Sequence, residues 1–183
     1  MSTFEEIGRE LRFEGAMIAA GVARYRYLDG EEVTREAVWH PGAVGILALE
    51  EDAVWLTRQP REVPGLARSL EIPAGKLDHD GESPLDTARR ELAEEVGMRA
   101  REWRQLFDFY TSPGFSDERV WLYLARDLEP VPGGAAPDQG ERVSAERWPL
   151  ERLEEALGAC RDSKSLIALL WLLARGSDAG RQR

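Results

Sequence analysis

The sequence has little of several residue types whose chemistry would otherwise suggest a function. It contains one cysteine, Cys160, so an intrachain disulfide is excluded and a reducing, cytoplasmic location is expected. Its two histidines, His40 and His79, are too few and too far apart to predict a zinc site. Basic residues number 24 against 34 acidic ones, and the net charge of −10 argues against a broad nucleic-acid or anionic-membrane surface.

Long apolar runs are also missing, so the sequence predicts no membrane-spanning segment and no membrane partner. The first twenty residues include the charged side chains of Glu5, Glu6, Arg9, Glu10 and Arg12, so no secretory signal is expected there. The 183 residues are enough for one domain with a full core.

An acidic helix is the most informative stretch. Ser83 suits the N-cap, Pro84 the first helical position and Gly97 the residue after the end. Apolar residues recur at spacings of three and four, which predicts one buried face. They are Leu85, Ala88, Leu92 and Val96.

Three glutamates crowd the second half of this helix. Glu91 and Glu95 are one turn apart and Glu94 flanks them, so their charges repel unless a cation lies among them. Mg²⁺ or Mn²⁺, which prefer oxygen ligands, would meet that need. The alternative is a solvated acidic helix face without a metal.

The surrounding residues favour the metal, because the stretch closely resembles the Nudix box. In that motif a glycine and a glutamate precede an Arg-Glu-apolar-x-Glu-Glu-x-Gly-apolar helix. The residues that fill its fixed positions are Gly75, Glu82, Arg90, Glu91, Leu92, Glu94, Glu95, Gly97 and Met98. Six residues rather than five separate Gly75 from Glu82, and the extra one falls in a loop, where insertions are tolerated.

The resemblance implies a set of roles within this motif. The metal ligands would be Glu91 and Glu95, joined by Glu94 and the backbone carbonyl of Ala74. Arg90 would orient the carboxylates, and its alternative is an exposed helix pair with Glu94. The residues implied to be structural are Gly75, Glu82 and Gly97.

Strands and further helices are predicted around this helix. Residues 1–12 indicate a polar, partly helical lead-in, and residues 11–40 a small antiparallel sheet with a hairpin at Asp29-Gly30. Strands are predicted on both sides of the acidic helix, with loops at residues 60–68 and 129–141. Two helices are predicted at residues 150–160 and 163–175.

The predicted fold class is α/β. The order of elements suggests a mixed sheet flanked by helices, and the resemblance implies a Nudix-type α/β/α sandwich preceded by a small antiparallel segment. The expected organisation is residues 1–40 as a β-rich, dimer-forming segment, 41–175 as the Nudix domain and 176–183 as a disordered tail.

Features outside the box resemble the ADP-ribose pyrophosphatase branch of the family. Pro113 lies fifteen residues beyond Met98, as does a marker proline of that branch. The lead into the box, residues 70–78, and the segment from Arg58 to Arg61 are similar as well. The alternative for Ser112-Pro113-Gly114 is an ordinary turn.

Candidate residues for the reaction follow from this resemblance. Glu141 is the first candidate for the base that activates water and Glu94 the second, since Gln139 stands where relatives often carry an acid. An equally good alternative is that Glu141 merely caps a surface strand. Arg61 is the candidate phosphate contact, with solvated surface as its alternative.

The candidate for stacking on the adenine is Tyr25 or Tyr27, and Pro113 and Gly114 are further candidate substrate contacts. Either tyrosine could equally be a packing residue.

The predicted function is Mg²⁺-dependent hydrolysis of ADP-ribose to AMP and ribose 5-phosphate by a homodimer, with Mn²⁺ as a substitute. Two alternatives stay open: the same chemistry on another nucleotide sugar or dinucleotide, and a Nudix module that binds ADP-ribose without cleaving it. A module that only binds ADP-ribose is expected to lack box carboxylates or to carry a DNA-binding region. This sequence keeps the box carboxylates and has no basic helix-turn-helix stretch.

Overall fold

The structure is a computed structural model that describes residues 3–135 and 142–179. Its chain divides into two compact units. The first is built from the chain up to Gly42 together with Phe109–Val120, and the second from Ala43–Asp108 and the chain from Trp121 onward.

The first unit contains an antiparallel sheet of β1 (Phe4–Glu14), β2 (Ala19–Tyr27) and β3 (Glu32–Trp39), in that order. The predicted hairpin between β2 and β3 is confirmed: Gly30 N donates to Tyr27 O at 3.0 Å, and Gly30 has a φ of 89°. A glycine adopts this positive φ without steric cost.

The prediction of a partly helical lead-in at residues 1–12 was wrong, because this stretch forms β1. It pairs with β2 from Phe4↔Tyr27 to Glu14↔Ala19. The many Glu and Arg residues suggested a helix, but partners on the neighbouring strand decide the conformation: Phe4 packs edge-on against Tyr25 with 5.6 Å between ring centroids.

A seven-stranded sheet dominates the second unit. Its strands are β4 (Ala43–Leu49), β5 (Ala53–Arg61), β6 (Leu66–Glu71), β7 (Ala74–Lys76), β8 (Met98–Tyr110), β9 (Arg119–Pro130) and β10 (Ser144–Pro149). The order is β10-β5-β4-β9-β8, with β6 paired to β5 and β7 paired to β4. The predicted loop at residues 60–68 is shorter than expected, since β5 continues to Arg61 and β6 begins at Leu66.

The helices of the second unit are α1 (Pro84–Glu91), α2 (Leu153–Ala159) and α3 (Ser163–Ala179). A π-helical turn, Leu92–Val96, continues α1, and a 3₁₀ turn, Leu150–Arg152, precedes α2. The helix α3 extends past the predicted end at Arg175, so the predicted tail falls partly within it. None of the described helices is long and apolar enough to cross a membrane.

Helix α1 covers one face of the central strand β4. Val44, Ile46 and Ala48 are fully buried in a core cluster with Ala88 and Leu92 from the acidic helix. The alternate β4 residue, Leu47, is equally buried, so both faces of the sheet are covered, as successive residues point to opposite faces. This is the predicted α/β fold with a mixed sheet, and it brings β7 beside α1.

Candidate functional site

The acidic helix begins and ends as its sequence predicts. The Ser83 hydroxyl accepts a hydrogen bond from Asp86 N, and Pro84 occupies the first turn. Gly97 ends the helix in a left-handed conformation with a φ of 72°. The change from α to π geometry at Leu92 was not predicted; such turns are frequent at functional sites.

Glu91 and Glu95 both reach the strand β7. Glu95 is 4% exposed, and its Oε2 accepts a hydrogen bond of 2.9 Å from Ala74 N. A Cβ built on Gly75 would lie 1.9 Å from Glu91 Oε1, so the glycine makes room for this carboxylate. The two glutamates therefore share the face turned to Ala74 and Gly75, and a fully solvated acidic face is excluded.

Arg90 lies among the acidic side chains of the motif. Its Nη1 donates to Glu91 Oε1 at 2.8 Å and to Glu94 Oε2 at 2.9 Å. Its Nη2 donates to Glu82 Oε2 at 3.2 Å. This hydrogen bond from Arg90 is the main reason that the pKa of Glu82 lies below its ordinary value. The guanidinium thus links the loop before α1 to the carboxylate cluster.

The donor set suits a hard divalent cation, because it offers only oxygen atoms close to one strand. Glu91, Glu94 and Glu95 supply carboxylates, and Gly75 leaves space for the first of them. Within residues 3–135 and 142–179, no three His, Cys, Asp or Glu side chains already converge as a metal site. In this structure Glu91 and Glu94 are instead oriented by Arg90.

The extra residue of the motif lies in a turn, as predicted. Glu82 N donates to His79 O at 3.2 Å, and Gly81 adopts a φ of 81°. Because the turn absorbs the insertion, Glu82 still contacts both Arg90 and the Thr87 hydroxyl.

Arg61 takes part in a buried charge network that the sequence did not reveal. It donates two hydrogen bonds, of 2.8 and 2.7 Å, to Glu71, whose side chain is 2% exposed. Lys164 on α3 donates to Glu71 and to Asp162, each at 2.9 Å. Burial raises the pKa of Glu71, but the hydrogen bonds of Arg61 and the charge of Lys164 outweigh it and lower the pKa to about 2.

No sequence spacing could have revealed this network, since 93 residues separate Glu71 from Lys164. The predicted phosphate contact of Arg61 stays a prediction.

The predicted substrate residues Tyr25, Pro113 and Gly114 line one cavity of about 280 Å³ within the first unit. Phe4 and Trp39 contribute further aromatic surface to it.

The turn that contains Pro113 and Gly114 is fixed to β3. Val38 N donates to Phe115 O at 2.7 Å, and Asp117 N donates to Val38 O at 3.2 Å. The turn is therefore also one wall of the cavity rather than an isolated surface feature.

Glu141, the first candidate for the base, lies outside the described residues, as do Pro137 and Gln139. The described part of its loop starts beside the end of the acidic helix. Val131 N donates to Gly97 O at 2.8 Å, and a Cβ on Gly97 would lie 2.5 Å from Ala135 N.

Comparison with known proteins identifies the family. The family model described as the NUDIX domain matches residues 39–170. The chain is 46% identical over 129 residues to an ADP-ribose pyrophosphatase of Mycobacterium tuberculosis. This alignment covers 70% of the chain and 62% of that protein. The chain therefore spans somewhat less than two thirds of this relative's length.

Two further relatives match over more of their length. The chain is 40% identical to an ADP-ribose pyrophosphatase of Bacillus subtilis, with 82% of each protein covered. It is 37% identical to a methanol dehydrogenase activator of Bacillus methanolicus, with 92% of this chain and 93% of that one covered.

A solved structure described as an ADP compounds hydrolase has the same fold. It superposes with a TM-score of 0.79 over 99% of this chain and 98% of its own, at 23% identity. The match of the NUDIX model to most of the chain, together with these relatives, shows that the protein belongs to the Nudix hydrolase family.

Proposed function

We propose that this Nudix hydrolase cleaves the pyrophosphate bond of ADP-ribose to give AMP and ribose 5-phosphate, with Mg²⁺ bound at the acidic helix. The observation that carries the proposal is the approach of Glu91 and Glu95 to Ala74 and Gly75. Two relatives at 46% and 40% identity are named ADP-ribose pyrophosphatase, which supports this substrate.

The residues of the motif have separate roles in this proposal. Glu91, Glu94 and Glu95 hold the metal together with the Ala74 carbonyl. Bound there, Mg²⁺ or its substitute Mn²⁺ would neutralise phosphate charge and lower the pKa of the attacking water. Arg90, whose Nη1 donates to both Glu91 and Glu94, offsets the repulsion between these two carboxylates and holds them in place.

Water activation needs a base within hydrogen-bond reach. Glu141 remains the first candidate, supported by the start of its loop at Gly97 beside the acidic helix. The Glu141→Gln variant should lose turnover by orders of magnitude while it binds Mn²⁺ normally. A near-normal rate would remove Glu141, and Glu94→Gln would then be the next variant to assay.

The adenosine half of the substrate is assigned to the cavity of the first unit. The cavity joins aromatic rings of Phe4, Tyr25 and Trp39 with the turn at Pro113 and Gly114. Aromatic faces stack on a base without regard to its hydrogen-bonding edge. The first unit is also assigned to the contact between two copies of the chain, and the enzyme to the cytoplasm.

Two alternatives keep part of this proposal. Hydrolysis of another nucleotide sugar or a dinucleotide would keep the metal helix and change the occupant of the cavity. A module that binds ADP-ribose without cleavage would use the same cavity, but the three box glutamates would then have no role.

The decisive experiment incubates the protein with ADP-ribose and Mg²⁺ and follows AMP and ribose 5-phosphate by chromatography. ADP-sugars, NADH, diadenosine polyphosphates and nucleoside triphosphates are assayed in parallel. Glu95→Gln should lose more than about 100-fold in rate, since even partners that only orient metal ligands are worth 10–100-fold. Glu154→Gln, at an exposed glutamate of α2, is the matched control.

Preferred cleavage of another compound would replace ADP-ribose as substrate and retain the metal site. Tight binding of ADP-ribose with no turnover in Mg²⁺ or Mn²⁺ would instead support the binding module.

A further inference from the structure

The segment between β6 and β7 is held in place by the first turn of α3. This segment comprises residues 72–73 and leads directly into the candidate metal ligand Ala74. Ile72 N donates a hydrogen bond of 2.8 Å to the Ser165 hydroxyl, and both residues are fully buried. The contact joins positions 93 residues apart in the chain.

Ser165 is itself fixed by the residue that caps its helix. Its hydroxyl donates to Asp162 Oδ2 at 2.5 Å, and its backbone N donates to the same oxygen at 3.0 Å. The lone pairs of the hydroxyl are therefore directed at Ile72 N rather than free to rotate.

The neighbouring charges secure the same segment. Glu71, the residue before Ile72, accepts from Arg61 on β5 and from Lys164 on α3. Breaking a buried ion pair on one side leaves an uncompensated charge, so this arrangement has little freedom to shift. Glu71 and Ile72 are thus held to α3 by adjacent residues.

The other end of the segment is attached to the core sheet and to the acidic helix. Ile46 N donates to Pro73 O at 2.8 Å, and Ala74 N donates to Glu95 Oε2 at 2.9 Å. Proline has no N–H to add a further bond, so Ile72 and Ala74 carry the N–H anchors of this stretch. A displacement of Ile72 would be passed to Ala74 and to the carboxylate that its N–H orients.

We propose that Ser165 is a positioning residue for the metal site, which acts by fixing the backbone of Ile72 so that Ala74 stays against Glu95. The inference rests on the proposed metal site at Ala74, Glu91 and Glu95, but not on the identity of the substrate. It gives the C-terminal helix a role in metal binding although no side chain of that helix ligates the metal.

The test measures Mn²⁺ affinity of the substrate-free protein by electron paramagnetic resonance. Ser165→Ala removes the acceptor of Ile72 N, and we expect Mn²⁺ affinity to fall by about tenfold, the lower end for residues that orient metal ligands. Ser163→Ala makes the same change at an exposed serine of the same helical turn and should bind Mn²⁺ as wild type does. Ser165→Thr keeps the hydroxyl and should restore most of the affinity.

Steady-state kinetics separate positioning from general destabilisation. Ser165→Ala should need about tenfold more Mg²⁺ for half-maximal rate, with KM for the nucleotide substrate at saturating Mg²⁺ unchanged. If Ser165→Ala melts at a lower temperature than wild type yet binds Mn²⁺ with the same affinity, the proposal is overturned. If Ser165→Ala does not fold, Asp162→Ala keeps the hydroxyl but removes the acceptor that orients it, and unchanged affinity there would overturn the proposal equally.

The outcomes distinguish this inference from the proposed function. Wild-type protein that does not cleave ADP-ribose would refute the substrate, whereas the Mn²⁺ affinities of the two alanine variants would still decide the role of Ser165.

Discussion

Gly75 and Glu91 lie so close together that no larger residue could replace the glycine without moving the glutamate. A Cβ at position 75 would be 1.9 Å from Glu91 Oε1 and 2.0 Å from its Cδ. The glycine φ is not in the left-handed region, so its requirement is one of space rather than of backbone conformation. A glycine of the motif is thereby tied to a candidate metal ligand.

Gly75→Ala should therefore damage activity far more than stability. The added methyl first meets the flexible side chain of Glu91, from its Oε1 back to its Cγ at 2.3 Å, so that side chain must swing aside while the sheet stays intact. Displacement of a ligand by about 1 Å can cost about 100-fold in rate, and we expect a loss of that order in kcat/KM. Gly158→Ala in α2 is the control, because its Cβ would meet no described atom within 4 Å. Similar rates for both variants would refute the steric argument.

Much of the fold could be predicted from local signals. The hairpin at Gly30, the cap at Ser83 and the end of the acidic helix at Gly97 each depend on one or two residues whose conformational preferences are strong. The Nudix motif likewise keeps its helical residues within one short stretch. The first strand was missed because its conformation depends on pairing with β2, which its own composition does not record.

The candidate site was predictable only where its residues are near in sequence. The π-helical turn after Glu91 leaves no signature in residue spacing, and the partners of Glu71 come from β5 and α3. Charged residues in a sequence indicate solvated surface by default, so a buried network of Arg, Glu and Lys is visible only once the sheet and α3 are assembled.

Gly97 should be needed for two reasons, which a matched variant can separate. Its φ of 72° is nearly the same as the 73° of Gly65, but only the Gly97 Cβ would approach the backbone of Ala135, at 2.5 Å. Gly65→Ala should cost about 1–2 kcal/mol of unfolding free energy for the left-handed conformation. Gly97→Ala should cost more and should also lower kcat, because the loop toward Glu141 begins there. Urea unfolding and steady-state rates test this, and equal losses in both variants would contradict it.

Tyr25 should contribute to substrate affinity rather than to the chemical step. Stacking of a base on an aromatic ring is worth about 1–3 kcal/mol, so Tyr25→Ala should raise KM for ADP-ribose between about fivefold and 100-fold with kcat nearly unchanged. Tyr25→Phe keeps the ring and should behave like wild type. Tyr110→Ala serves as control, since Tyr110 is 53% exposed and lies in the same unit outside the cavity lining. An unchanged KM in Tyr25→Ala would remove Tyr25 from substrate binding.

Glu71 should make the stability of the protein depend on pH in the acidic range. Its pKa is about 2 in the folded chain, below the ordinary value of 4.5 expected on unfolding, so the unfolded state binds the proton more readily. The stabilisation from the Arg61 and Lys164 contacts is complete above pH 4.5 and is lost as the pH falls toward 2. Glu71→Gln should cost about 3 kcal/mol at neutral pH, the lower end for breaking a buried ion pair, because it leaves the largely buried Lys164 and the partly exposed Arg61 without their carboxylate. The variant should also lose less stability than wild type across that acidic window. Urea unfolding at a series of pH values measures both effects, with the exposed Glu151→Gln as control. If Glu71→Gln and wild type lose stability in parallel as the pH is lowered, the contacts of Arg61 and Lys164 do not hold Glu71 ionised.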